Sequence, residues 1–101
     1  MAILAISVVP IGTKDPSLSS FVADCIRIVR EEKVHYELTA MGTNIEGNLR
    51  DLIRIGIKMH EAPFKKGVFR VATTFRIDDR RDKKGTMSGK KKAVQKKLLK
   101  K

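Results

Sequence analysis

The chain is poor in the residues that most often carry chemistry: 101 residues hold one cysteine, two histidines, one tyrosine and no tryptophan. A lone Cys25 excludes an internal disulfide and fits a reducing cytoplasm. It falls on the apolar stripe of a predicted helix, which makes it a small core residue and not a nucleophile. His35 and His60 lie on different predicted elements, without an HxxxH spacing or a second cysteine to complete a metal site. The serines cluster at a helix start, where capping explains them. No GxxxxGK[ST] or GxGxxG loop is present to cradle a nucleotide phosphate. The chain therefore does not read as an enzyme. Long hydrophobic runs are also lacking: Ala2–Val9 is far too short to span a bilayer, and it has neither a preceding basic residue nor a small-residue cleavage site. It reads as a strand.

What the chain has in excess is positive charge, +11 in all. The excess is local. Residues 1–79 carry 11 basic and 10 acidic side chains, whereas residues 80–101 carry 11 basic side chains against Asp82 alone. The nearly neutral body, 1–79, is expected to be the folded domain that carries any ligand-binding site. The segment 80–101 is a charged loop and basic helix packed on that domain or extending from it. Such a tail is most simply solvated, and a polyanion contact is the second reading.

Hydrophobic periodicity gives the order of elements. Ala2–Val9 is a strand ended by Pro10 and Gly12, with Leu4, Ile6 and Val8 on one face and Ile3, Ala5, Ser7 and Val9 on the other. Asp15-Pro16-Ser17 is a helix-start signal. Leu18, Phe21, Val22, Cys25, Ile26 and Val29 then recur at helical spacing as far as about Glu32. Val34–Ala40 alternates as a second strand, a tight turn at Met41-Gly42 follows, and Thr43–Gly47 is a third strand with Ile45 pointing inward. Asn48 caps a second helix, with Asp51 at the capping-box position. Gly56 in the middle of that helix predicts a close approach to another element, because it otherwise costs roughly 1 kcal/mol relative to alanine. Pro63 and Gly67 mark a loop. Val68–Asp78 is the last and longest strand. A basic helix from about Ser88 carries Met87, Val94 and Leu98 as a thin apolar seam.

Strand-helix-strand-strand-helix-strand is the ferredoxin-like α+β sandwich, a four-stranded antiparallel sheet with two helices on one face. The helices are expected to cover Leu4, Ile6, Val8, Leu38, Ile45, Phe69, Val71 and Phe75. The other face then has no helix of this chain above it. It carries Ser7, Glu37, Thr39, Asn44, Glu46, Arg70, Thr74, Arg76 and Asp78 among Ile3, Ala5, Val9 and Ala72. That mixture is too apolar for a solvated face and too charged for a dry one. It suggests a second copy packing there, with paired charges and a small enclosed pocket. RNA-recognition domains share this topology but place aromatic rings on the two central strands. Here those positions hold Ile3, Ala5, Ser7, Val9, Asn44 and Glu46, so nucleic acid is only a runner-up partner, reached through the basic tail.

Asn44 and Glu46, spaced i, i+2, share a face of the third strand. From spacing alone, two solvated sheet residues explain them more simply than a site does. A carboxylate there can, however, accept from the exocyclic amine of an aminopyrimidine and pair with its protonated ring nitrogen. Four blocks, ISVVPIGT (Ile6–Thr13), SLSSFVA (Ser17–Ala23), YELTAMGTNIEG (Tyr36–Gly47) and RVATTFRIDDRRDK (Arg70–Lys83), together resemble the thiamine-binding protein family. The resemblance implies the ferredoxin-like fold, homodimers or homotetramers formed through the sheets, and thiamine or its hydroxymethylpyrimidine part as ligand, with no further cofactor. On the positions that match the family pattern it implies Ser7, Thr43 and Asn44 as neutral hydrogen-bonding groups and Glu46 as the aminopyrimidine partner. Thr39, Arg70, Arg76, Asp78 and Arg81 are candidates for either ligand or subunit contacts. The Asp78–Arg81 run reads first as an inter-subunit ion-pair cluster. A second ligand class is an anion held by Arg70, Arg76 and Arg81.

Overall fold

The computed structural model describes residues 1–82 and 86–99. Its elements are β1 (Ala2–Ile11), α1 (Ser19–Glu31), β2 (His35–Thr39), β3 (Gly42–Gly47), α2 (Leu49–Glu61), a 3-10 segment (Ala62–Lys66), β4 (Arg70–Asp79) and α3 (Met87–Leu98). All strand pairs are antiparallel in the order β2-β3-β1-β4, which is the expected ferredoxin-like sheet.

The core lies between α1, α2 and the sheet face that carries Leu4, Ile6 and Ile45. α2 contributes Leu52, Ile55 and Met59, and α1 contributes Cys25 and Val29, all buried. Each fully buried aliphatic side chain contributes roughly 1.5–3 kcal/mol, so this small cluster sets the fold. Burial pushes the Cys25 thiol up to about 11, with Asp24 adding a smaller push in the same direction. Its sulfur lies 3.6 Å from the Met59 carbonyl, as expected of a core residue. At Gly56 a Cβ would sit 2.6 Å from the Phe75 ring and 3.3 Å from Leu4, which is the close helix-sheet approach the sequence required. At the C-terminal end of α1, Glu32 takes hydrogen bonds from Lys58 and Arg54 of α2 at 2.6 and 2.9 Å. These bonds hold its carboxyl below the usual range, Lys58 first.

Several boundaries differ from the sequence expectation, each for a local reason. β1 does not stop at Pro10 but pairs on to Ile11. Beyond Ile6 it has β4 alone as a partner, so proline's missing N–H breaks no ladder on the vacant side. Asp15 does not cap α1. Its carboxylate closes a turn by accepting from the Ser17 N–H at 2.9 Å, and the helix begins two residues later behind an uncapped Leu18. Asn48 does cap α2, accepting from the Arg50 N–H. The hairpin loop is Ala40-Met41, one residue earlier than expected, because the Thr39 hydroxyl bridges it by donating to the Gly42 carbonyl and accepting from the Met41 N–H. The expected loop after α2 is wound into the 3-10 segment. Phe69 precedes β4 and is 97% exposed, and Leu38, on the helix-facing side next to the hairpin, is 55% exposed. Neither belongs to the core.

At Gly42 a Cβ would stand 2.7 Å from the backbone oxygen of Ile6 and 3.4 Å from its carbonyl carbon. Backbone cannot swing aside as a side chain can. Gly42→Ala is expected to destabilise the fold by about 1–3 kcal/mol, seen as a lowered thermal midpoint. Gly47→Ala, whose nearest contact would be Leu52 at 3.6 Å, should leave that midpoint nearly unchanged.

Candidate functional site

The strand register builds the open face in rows. Glu37, Asn44, Ala5 and Arg76 form one row across β2, β3, β1 and β4. His35, Glu46, Ile3 and Asp78 form the next. On the other side Ser7 lies opposite Thr74, and Thr39 opposite Gly42. Neighbouring strands are about 4.8 Å apart, so the backbone of Asn44 is about 10 Å from that of Arg76, with the Ala5 methyl between them. Side chains of opposite charge thus stand at the two ends of a row whose middle is small.

This face is not bare, as the sequence suggested. The first turn of α3 lies on it. Thr86 caps the helix by accepting from the Gly89 N–H at 3.0 Å, and the Met87 N–H donates to Glu46 Oε2 at 2.8 Å. Lys90 pairs with Asp78 and Lys91 with Glu37. Met87 is buried, but every later described residue of α3 is exposed, including Val94 and Leu98. Beyond Met87, the apolar seam of the basic helix is therefore not covered by any described residue.

Two hollows adjoin on this face. The first, about 400 Å³, has Ile3 and Ala5 as its floor, with Glu37, Asn44, Arg76 and Asp78 around it and Met87, Lys90 and Lys91 of α3 above. The second, about 240 Å³, is lined by Ser7, Thr39, Asn44, Thr74 and Arg76, with the Met41-Gly42 corner beside it. Ala5, Asn44 and Arg76 belong to both. An apolar hollow of about 340 Å³ lies on the helix side, among Leu18, Val22, Leu38, Met41 and Met59, and meets the second hollow at Ser7, Thr39 and Thr43. It offers few polar groups.

The sequence-derived site residues separate. Ser7, Thr43 and Asn44 come together with Thr39 and Arg76 at the second hollow. Glu46 is on the same face but lines neither hollow, since α3 sits over it. The Thr43 side chain is on the helix-facing side with Ile45 and is 5% exposed. Arg70 lies opposite Ile11, four residues of β4 before Thr74. The Asp78–Arg81 run is spent on partners within the chain. Arg81 donates to Asp79 at 2.8 Å and holds that carboxyl below its usual range. Arg80 donates to Asp82 at 2.6 Å, and Asp78 pairs with Lys90. Sequence reading left Glu37, Thr74, Met87, Lys90 and Lys91 out of the site. The first two were visible as open-face positions, whereas nothing local marked the α3 residues.

With this geometry in place, comparison with known proteins decides the family. The sequence model of the family described as "Thiamine-binding protein" matches residues 4–95. The chain belongs to this family. It is 51% identical to a UPF0045 protein of Bacillus subtilis, over 97% of this chain and 98% of that one. It is 38% identical to a UPF0045 protein of Methanothermobacter thermautotrophicus over 92% of this chain and 95% of that one. Among solved structures, a hypothetical protein of Methanocaldococcus jannaschii superposes with a TM-score of 0.84 at 31% identity, covering 93% of this chain and 95% of that one. A Thermotoga maritima protein provisionally assigned to thiamine biosynthesis or salvage gives 0.76 at 19% identity over 92% of this chain and 97% of its own, a likeness of fold alone. Family membership marks a small-ligand-binding protein. Among the described residues no helix is long and apolar enough to cross a membrane.

The Met87–Glu46 hydrogen bond anchors α3 together with the buried Met87 side chain and the Lys90–Asp78 and Lys91–Glu37 pairs. A 12-residue lysine-rich helix is marginal by itself in water. Glu46→Ala is expected to raise amide hydrogen exchange across Met87–Leu98 at least about 10-fold, a tether of roughly 1.5–3 kcal/mol being lost. Protection in β1 and α2 should stay within about 2-fold on the same scale.

Proposed function

We propose that this chain is a non-enzymatic binding protein for thiamine or its hydroxymethylpyrimidine part, acting as a homo-oligomer in the cytoplasm to sequester, salvage or deliver the ligand. The observation that carries this reading is Asn44. It is half-buried in the wall shared by the two hollows, and its amide has no hydrogen-bond partner among the described residues. An amide offers an acceptor to the exocyclic amine of an aminopyrimidine and a donor to the adjacent ring nitrogen, a paired contact of the kind asparagine makes to adenine. Glu37 stands opposite it on β2 and, paired with Lys91 through one oxygen, has its other oxygen as an acceptor near the ring. Ile3, Ala5 and Met87 give the ring apolar walls. Glu46, the partner expected from the sequence, acts one step back by fixing the helix that roofs the first hollow.

Association with a second copy is supported by the rest of the face. Among the described residues the outer edge of β4 has no strand beside it, and β1 beyond Ile6 lacks one on its β3 side. Val9, Ile11 and Phe69 are exposed at that end. Long unpaired edges flanked by apolar side chains are what a partner strand or sheet covers.

Asn44→Ala should weaken thiamine binding by about 10-fold or more in titration calorimetry, by loss of a paired hydrogen-bond contact worth roughly 1–3 kcal/mol. The thermal midpoint should hold to within a few degrees, because the amide has no partner to lose. Light scattering on the same samples should give a mass at least twice that of one chain. Unchanged thiamine affinity in Asn44→Ala, or a monomer that binds no thiamine, contradicts the reading.

A further inference from the structure

The charges around the two hollows do not cancel evenly. In the first, Asp78 and Glu37 are paired with Lys90 and Lys91; outside both hollows, the Glu46 carboxylate beneath Met87 is taken by the start of α3. Arg76 is left over. It has no ion pair or hydrogen bond among the described residues, although it lines both hollows. The second hollow contains no carboxylate. Its polar lining residues are Ser7, Thr39, Thr43 and Thr74, Asn44 and Arg76. Thr39 is engaged in the hairpin, whereas Ser7 and Thr74, opposite each other on β1 and β4, have no side-chain partner among the described residues.

A carboxylate-free hollow with hydroxyl donors and one uncompensated guanidinium suits a tetrahedral oxyanion. The planar fork of arginine meets two phosphate oxygens at once, and hydroxyls satisfy the others. We propose that the second hollow is a phosphate subsite, so that the ligand this face selects is a phosphate monoester of the heterocycle, with its ring at Asn44 and Glu37 and its phosphate on Arg76, Ser7 and Thr74. This rests on the pyrimidine-binding reading above and adds the substrate class to it. The row geometry fits such a molecule: ring and phosphate lie on opposite sides of the Ala5 methyl, in hollows that share it. The acids of the first hollow do not repel the ester, because α3 has already neutralised them.

The test is titration calorimetry of the full chain with thiamine, thiamine monophosphate and inorganic phosphate, on wild type, Arg76→Gln and Arg76→Lys. Lys92→Gln, a charge lost from α3 outside both hollows, controls for net charge. Wild type should bind the monophosphate roughly 10-fold or more tighter than thiamine, the worth of one charge-assisted bond. Arg76→Gln should bring the two ligands within about 2-fold of each other, Arg76→Lys should recover part of the difference, and Lys92→Gln should keep all of it. Equal binding of thiamine and its monophosphate by wild type overturns the phosphate subsite and leaves the pyrimidine reading standing. A preference that survives in Arg76→Gln overturns the assignment to Arg76. Inorganic phosphate binding as tightly as the ester, with no response to thiamine, overturns both the ester and the reading beneath it.

Discussion

A single hydrogen bond, from the Met87 N–H to the Glu46 carboxylate, decides what the open face of the sheet can be. It brings the positive end of α3 to an acid on a central strand, where a helix N-terminus is electrostatically at home. Lys90 and Lys91 then fall within reach of Asp78 and Glu37. Those lysine pairs are exposed, and pairs of that kind contribute little individually. Their importance lies in the charge they remove. Without α3 the face would present three acids to a ligand; with it, the face presents an amide, hydroxyls and one free arginine.

Underneath, the body is held by ordinary burial. Leu4, Ile6 and Ile45 on the sheet meet Leu52, Ile55 and Met59 of α2 and Val29 of α1. The alternation that sends those residues inward sends Ile3, Ala5, Asn44 and Glu46 outward, so core and site are two readings of the same strands. Ala5 is the clearest instance. Between Leu4 and Ile6 in sequence, it is the small residue that leaves room on the outer face for both hollows. The exposed Val9 and Ile11, farther along β1, continue that outer surface towards the edge left unpaired by β3.

Much of this was legible in the sequence, and the misses have physical causes. Strand order and facing followed from period-2 and period-3.6 patterns, and the close approach at Gly56 followed from helix propensity. Thr43 shows family likeness and strand alternation bearing on one residue. The resemblance carried it into the site, where it helps line the second hollow, while two-residue alternation with Ile45 turns its side chain to the helix side. The docking of α3 was not legible. Glu46 and Met87 are 41 residues apart, the apolar seam of that helix is thin, and a lysine run looks the same whether it is solvated or laid against acids. Element ends slipped wherever a side chain made its own turn, as Asp15 and Thr39 do.

The account stands on the ligand lying on the sheet face and not among the helices. A nitrogen-15 correlation spectrum recorded during titration with thiamine reads this directly. The expected result is a set of saturable shifts at the Asn44 side-chain amide and at the backbone of Ala5, Arg76 and Met87. Shifts confined to Leu18, Val22 and Met59 around the helix-side hollow, or no shifts at saturating ligand, would contradict it.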